Sequence, residues 1–124
     1  MAIRVLHVED DADIRQIAQL ALEFSGQFEL RQCGSGPEAL EAAPDFAPDV
    51  FLLDVMMPGM SGDEVFDKLR TMDQFKDTPV IFMTARAQPS EVRALRDRGA
   101  TGVIVKPFDP TTLGDEIVKI LEGA

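Results

Sequence analysis

Short, almost continuous apolar runs alternate with longer amphipathic segments along the chain, and this alternation is the strongest constraint on the fold. The two clearest runs, Val50 to Leu53 and Val80 to Met83, contain no polar residue. Strands of this composition are covered on both faces, which is typical of parallel sheets. Three further strands are predicted at Ile3 to Val8, Phe28 to Cys33 and Val103 to Val105.

The segments between the predicted strands have helical periodicity. Apolar residues mark one face at Ile14, Ile17, Ala18, Ala21 and Leu22, at Val65, Leu69 and Met72, and at Leu113, Ile117, Ile120 and Leu121. Ser35 and Asp109 each precede a proline and predict helix starts. Pro89 opens a further helix that ends at Gly99. Five strand–helix units joined by right-handed crossovers predict an α/β fold, a doubly wound parallel sheet with helices on both faces.

Length and charge exclude several classes of protein. The 124 residues are predicted to form one domain, 1–124. A net charge of −10 repels phosphate backbones and anionic membranes, so neither nucleic acid nor a membrane is an expected partner. Cys33 is the only cysteine, which excludes an intramolecular disulfide and a cysteine-based zinc site. The start resembles no signal peptide and no apolar run could span a membrane, so a cytoplasmic protein is expected.

Reactive or charged side chains follow four of the five predicted strands. They are Glu9-Asp10-Asp11, Asp54, Thr84 and Lys106. Parallel strands bring these endings to one edge of the sheet, where ligands bind in such folds. Carboxylates drawn together repel each other but suit a hard divalent cation, and Mg²⁺ is the natural occupant. A lysine and a threonine hydroxyl opposite them would supply a cation and a hydrogen-bond donor for an incoming phosphoryl group.

Each of these residues also has a purely structural interpretation. The acidic residues after the first strand are equally well explained as helix caps, whereas Asp54 follows a buried strand and no helix begins directly after it. Thr84 or Lys106 alone would be an ordinary strand end or surface charge. His7, inside the first apolar run, is predicted to be packed and hydrogen-bonded. Met56, Met57 and Met60 are predicted to pack in a loop.

The sequence resembles the receiver domains of two-component response regulators, similar to the chemotaxis regulator CheY. The resemblance covers the whole chain and depends on four motifs: Val8-Glu9-Asp10-Asp11, Asp54-Val55-Met56-Met57-Pro58-Gly59-Met60-Ser61-Gly62, Met83-Thr84-Ala85 and Val105-Lys106-Pro107-Phe108. It implies a five-stranded parallel sheet of order 2-1-3-4-5 with five flanking helices.

The resemblance also implies a role for each matching residue. Asp54 would accept the phosphoryl group from a sensor histidine kinase or a histidine phosphotransfer protein. Glu9 and Asp10, with Asp54 and the backbone carbonyl of Met56, would hold Mg²⁺. Thr84 would be the switch hydroxyl, Ala85 the small residue that leaves it room, and Lys106 the partner of the phosphoryl oxygens. The bond from Lys106 to Pro107 would be cis.

One position departs from the family pattern. The family has a tyrosine or phenylalanine three residues before the Lys-Pro pair, and Val103 occupies that position here. An aromatic rotamer switch cannot operate with valine. Coupling between Thr84 and the face formed by the fourth helix, fifth strand and fifth helix is therefore expected to use backbone shifts or other packing.

Two other functions are alternatives to that of a receiver. A Mg²⁺-dependent aspartyl phosphatase needs a second aspartate two residues after the nucleophile, where this chain has Met56. A flavodoxin-like FMN binder needs a Ser/Thr-rich first loop and stacking aromatics, but the loop is acidic and the chain has neither Trp nor Tyr. The sequence predicts a stand-alone receiver without an output domain, although a domain excised from a hybrid kinase or a larger regulator would have the same sequence pattern. It is expected to act by binding a downstream protein target or as a phosphorelay intermediate. It is not expected to be an enzyme, beyond catalysing its own phosphorylation and dephosphorylation.

Overall fold

Five parallel strands form a single sheet of order β2-β1-β3-β4-β5 in the computed structural model, which describes residues 2–86 and 88–123. The strands are β1 Ile3–Val8, β2 Phe28–Cys33, β3 Val50–Asp54, β4 Val80–Thr84 and β5 Gly102–Val105. The helices are α1 Ala12–Ser25, α2 Gly36–Phe46, α3 Gly62–Arg70, α4 Pro89–Arg98 and α5 Leu113–Glu122. A 3₁₀ helix, Asp73–Phe75, lies between α3 and β4. The predicted fold and strand order are confirmed.

The apolar side chains of the central strands divide between two cores, one on each face of the sheet. Every residue of β3 and β4 is buried, as their continuous apolar sequence predicts. Phe51, Leu53 and Phe82 pack on the α2–α3 face. Leu52 and Ile81 pack on the opposite face, where α1 and α5 lie. Two-sided burial fixes the register and so the height at which each strand ends.

Local capping determines where several helices begin. The Asp11 carboxylate accepts hydrogen bonds from the amides of Asp13, at 2.8 Å, and Ile14, at 3.3 Å, and so caps α1. Ser35 caps α2 through the amide of Glu38, at 3.3 Å. Asp11 thus takes the capping role that the sequence left open among the three acidic residues, which leaves Glu9 and Asp10 for other contacts.

Three details of the helix predictions are wrong. The periodicity places Ile17 on the apolar face of α1, yet Ile17 is 44% exposed, and the buried residues of the helix are Ala18, Ala21 and Leu22. Asp109 was assigned to the start of the last helix, but its carboxylate accepts the Thr111 amide in a turn and α5 begins only at Leu113. Met72 follows α3, which ends at Arg70.

The length and hydropathy of the helices show whether any of them could cross a membrane. None of those within 2–86 and 88–123 is long and apolar enough to cross a lipid bilayer.

Candidate phosphorylation site

The carboxyl ends of the parallel strands bring the sequence-predicted site residues together. Asp54 is the last residue of β3 and Thr84 the last of β4, and these strands are neighbours in the sheet. Glu9 directly follows β1, and Lys106 directly follows β5. Strand register alone therefore places these four side chains on one rim, as the sequence predicted.

Three carboxylates on this rim converge. Carboxylate oxygens of Glu9, Asp10 and Asp54 all lie within 4.8 Å of one another. Glu9 and Asp54 are buried, at 0% and 3% exposure, whereas Asp10 is exposed. Such an oxygen-only donor set, open to solvent on one side, fits a hard divalent cation that keeps several waters.

Lys106 pairs with both buried carboxylates and offsets part of their charge. Its Nζ lies 2.6 Å from Glu9 Oε1 and 3.1 Å from Asp54 Oδ1, and its side chain is 15% exposed. Burial alone would lower the pKa of the lysine, but the two carboxylates outweigh burial and raise the pKa above its ordinary value. The ammonium therefore stays charged and points at the oxygens of the acidic cluster. Its peptide bond to Pro107 is cis, as the resemblance implied.

The Glu9 carboxylate has a pKa raised above its ordinary value. Burial raises its pKa, and Asp54 adds to the increase, while the ion pair with Lys106 opposes it. A proton, the lysine and a divalent cation would thus compete for the same oxygens. Buried carboxylates with a perturbed pKa are common at functional sites.

The Thr84 hydroxyl is buried, at 2% exposure, and accepts a hydrogen bond of 2.9 Å from the amide of Arg86. A hydroxyl that accepts one hydrogen bond can still donate its own proton. Ala85 follows it and is exposed. Val103, partly buried on β5, pairs with Phe82 of β4.

An open cleft of about 330 Å³ continues from the rim toward α4. Met56, Thr84, Arg86 and Glu91 are among the residues that line it. Met56 is 58% exposed, so the loop packing predicted for this methionine is wrong, whereas Met57 is buried as predicted.

His7 is a packed histidine, as its place in the first apolar run predicted. It is fully buried, and its Nδ1 lies 3.1 Å from Gln32 Nε2. Burial, with Lys106 and Arg15 nearby, lowers its pKa from 6.5 to about 3. The ring is therefore neutral near pH 7.

Sequence reasoning missed Arg15, which contacts the acidic loop. Its Nη1 donates a hydrogen bond of 2.7 Å to the backbone carbonyl of Glu9. The available signal was a charged residue between Ile14 and Ala18 on the sheet-facing side of α1, because a cation at such a position requires an acceptor nearby.

The structure thus combines a doubly wound sheet of this order with an acidic cluster, a threonine and a lysine on one rim. The model of the response regulator receiver domain matches residues 5–118, and the chain belongs to this family. The resemblance seen in the sequence is confirmed. Membership of this family favours a two-component receiver over an aspartyl phosphatase or an FMN binder.

Individual relatives agree with this assignment. Chemotaxis response regulator CheY4 of Vibrio cholerae has a similar structure, with a TM-score of 0.88 and 34% identity over 97% of this chain and 99% of that one. The response regulator MprA of Mycobacterium ulcerans is 39% identical over 108 residues, and the DNA-binding response regulator MtrA of Mycobacterium tuberculosis is 34% identical over 113 residues. These matches cover 87% and 91% of this chain but 45% and 48% of the relatives, so the chain spans about half their length.

Proposed function

We propose that Asp54 accepts a phosphoryl group from a phosphohistidine of a sensor histidine kinase or a histidine phosphotransfer protein. The observation that carries this proposal is the surroundings of Asp54. It is a buried carboxylate at the end of β3 that lies 3.1 Å from Lys106 and within the cluster formed with Glu9 and Asp10. Neighbouring cations and a fixed position are what a carboxylate nucleophile in phosphoryl transfer requires.

In the proposed function the metal at this rim is Mg²⁺. Glu9, Asp10 and Asp54 would hold it through carboxylate oxygens and Met56 through its backbone carbonyl, with water completing the shell. A bound Mg²⁺ supplies charge neutralisation for the phosphoryl oxygens. The protein's own contribution is to keep three carboxylates together against their mutual repulsion, which Lys106 partly offsets.

The transfer step exchanges one bond to phosphorus for another. An Asp54 oxygen attacks the phosphorus in line, the P–O bond forms, and the P–N bond to the donor histidine breaks. The imidazole leaves with the bonding electron pair and takes a proton. Lys106 stabilises the charge that spreads over the equatorial oxygens of the loose transition state. The chain thus catalyses only its own phosphorylation and dephosphorylation.

The Thr84 hydroxyl turns this chemistry into a signal. The new phosphoryl group adds about −1.5 to −2 charge and strong acceptor oxygens beside it. The hydroxyl donates to one of these oxygens, and the loop whose Arg86 amide holds it moves with it. The altered surface controls binding to a downstream protein. Because Val103 replaces the usual aromatic residue, we infer that the backbone and the surrounding packing transmit this movement.

The docking surface for the phosphodonor is the exposed flank of α1. Ile17, Leu20 and Phe24 are 44%, 59% and 82% exposed and form one stripe at spacings of three and four residues. Near Ile17 the stripe meets an apolar cleft of about 350 Å³ lined also by Lys106 and Phe108. An apolar surface that runs to the acceptor rim fits the apolar side of a donor helix that carries a histidine.

Substitution of the nucleophile tests the acceptor assignment. Asp54→Asn keeps the shape of the side chain and removes its nucleophilic oxygen, so it should take up no stable phosphate from a phosphorylated donor or from acetyl phosphate. Asp97→Asn, at an exposed position of α4, is the matched control and should be phosphorylated as the parent is. Stable label on the Asp54→Asn protein would refute the proposal.

A second comparison tests the docking surface separately from the chemistry. Phe24→Ser should slow transfer from the phosphorylated donor protein because it removes exposed apolar contact area, yet leave uptake from acetyl phosphate unchanged. Phe24 is 82% exposed, so its loss should not destabilise the fold. Equal slowing with both donors would place the effect at the rim and refute docking on α1.

A further inference from the structure

The backbone of Glu9 is held from two sides. Its amide donates a hydrogen bond of 3.0 Å to the carbonyl of Cys33 at the end of β2. Its carbonyl accepts the 2.7 Å hydrogen bond from Arg15 Nη1. The first contact fixes the peptide group before Glu9, and the second, from Arg15, fixes the peptide group that leads from Glu9 into Asp10, the exposed carboxylate of the acidic cluster.

The side chain of Glu9 is fixed by separate contacts. The amide of Asp11 donates to Oε2 at 3.3 Å, while Oε1 pairs with Lys106. Removing the Arg15 contact to the Glu9 carbonyl would leave these side-chain contacts intact but would allow the Glu9–Asp10 peptide to rotate. The direction in which Asp10 presents its carboxylate depends on that peptide.

Arg15 is itself held in place. The carbonyl of Arg15 accepts a hydrogen bond of 2.7 Å from Gln32 Nε2, which ties this turn of α1 to β2. A Cβ atom added at Gly34 would lie 3.3 Å from Arg15 Nη1, so the glycine leaves room for the guanidinium. A side chain whose backbone is tied to the sheet and whose guanidinium has room beside the loop is able to orient the group that it contacts.

We propose that Arg15 is a positioning residue for the metal site, which orients the Glu9–Asp10 peptide so that the carboxylates of the acidic cluster face one cation. The inference depends on the proposed function only in taking Mg²⁺ as that cation. Residues that orient metal ligands through hydrogen bonds are a general requirement of such sites.

Positioning and charge predict opposite results for Arg15. Removal of a positive charge close to an acidic cluster would, by Coulomb attraction alone, tighten the binding of a divalent cation. Removal of a positioning contact would weaken it, because the ligands would have to be ordered when the cation binds. The sign of the change in Mg²⁺ affinity therefore separates the two roles.

The experiment compares Arg15→Met, which removes charge and donor, with Arg15→Lys, which keeps both. We expect calorimetric titration with MgCl₂ to show roughly tenfold weaker binding for Arg15→Met, a loss at the lower end for contacts that orient ligands, and recovery of most of the affinity in Arg15→Lys. Arg93→Met, at an exposed position of α4, should bind as the parent does. Asp10→Ala gives the reference for loss of a ligand.

Phosphorylation by acetyl phosphate adds a second readout. Arg15→Met should need more Mg²⁺ for half-maximal rate but reach the parent rate at saturation, a split that general destabilisation would not produce. Unchanged or tighter Mg²⁺ binding by Arg15→Met would overturn the proposal, as would a lysine variant as weak as the methionine variant. A parent protein that bound no Mg²⁺ would instead refute the metal site itself.

A measurement on the parent decides the question if Arg15→Met fails to fold. Titration with MgCl₂, followed by NMR, should shift the Arg15 guanidinium signal together with the Glu9 and Asp10 amides. Shifts of those amides without a shift at Arg15 would overturn the proposal.

Discussion

Lys106 Nζ lies 2.6 Å from Glu9 Oε1, and this ion pair connects the loop after β5 to the loop after β1 across the acceptor rim. The same ammonium lies 3.1 Å from Asp54. One ammonium thus pairs with two buried carboxylates and offsets only part of their charge, and a divalent ion that binds here has to share the same oxygens with it.

Lys106→Met should therefore make the protein depend on Mg²⁺ for stability. Loss of one partner of a buried ion pair typically costs about 3–5 kcal/mol, and the partial exposure of Lys106 favours the lower end. Urea unfolding at pH 8 should show this loss without metal and a partial recovery with MgCl₂, because the added cation neutralises the same oxygens. The stabilisation by Mg²⁺ should exceed that of the parent.

The matched control for this variant is Lys119→Met, at an exposed position on α5. It should unfold as the parent does with and without metal. Equal stabilisation by Mg²⁺ of the Lys106→Met protein and the parent would contradict the view that lysine and metal share these carboxylates.

The single histidine should make the protein less stable in acid. Burial lowers the pKa of His7 to about 3, whereas the ring in the unfolded chain titrates near its ordinary value of 6.5. Between these two pKa values the unfolded state therefore binds a proton at His7 that the folded state does not bind. The stability from this depressed pKa is fully present above pH 6.5 and is lost as the pH falls toward 3, at up to ~1.4 kcal/mol per pH unit.

His7→Leu removes this titration, so its free energy of unfolding should fall less steeply between pH 6.5 and 4 than that of the parent. Loss of the contact with Gln32 lowers stability at every pH alike and does not change the slope. Urea unfolding at several pH values measures the difference. Parallel pH profiles for the two proteins would show that His7 is not held neutral.

The sequence predicted the sheet because strands that are buried on both faces have continuous apolar sequences. The unbroken apolar runs of β3 and β4 could pack only in the centre of a parallel sheet, and the polar residues after them could lie only on its carboxyl edge. Asp54, Thr84 and Lys106 were therefore predictable as neighbours from strand endings alone.

Contacts that depend on the direction of a side chain were not predictable in this way. Glu9 and Asp11 are both acidic and two residues apart, yet one turns inward to Lys106 and the other caps α1. Ile17 fits the apolar period of α1, but its exposure depends on what lies beside the helix. Arg15 reaches a carbonyl six residues away through a long side chain, which periodicity does not describe.

Nucleic-acid binding provides a test of the charge argument. MtrA is a DNA-binding response regulator, but the match covers 48% of its length. This chain has a net charge of −10, so it should repel a duplex, and we expect no change in the fluorescence anisotropy of labelled DNA at physiological salt. Phosphorylated and unphosphorylated protein should behave alike. A sequence-specific complex with the pure chain would contradict this prediction.

The lifetime of the phosphoryl group should depend on Met56 and Arg86, which line the cleft between the acceptor rim and α4. Hydrolysis needs a water in line with the phosphorus. Met56 offers no strong hydrogen bond to orient such a water, and the Arg86 guanidinium can pair with phosphoryl oxygens and obstruct its approach. We therefore expect a comparatively long-lived phosphoprotein.

A double variant, Met56→Asn with Arg86→Glu, supplies polar groups able to hold an attacking water. It should lose phosphate roughly three- to tenfold faster than the parent, a change of about 1 kcal/mol in the barrier. Decay is measured after removal of the donor at one fixed Mg²⁺ concentration. Because both side chains are exposed, the substitutions should leave the fold unchanged, and equal thermal unfolding of the two proteins is the control. Equal decay rates would mean that both side chains remain in solvent and that the acidic rim and Lys106 alone determine the lifetime.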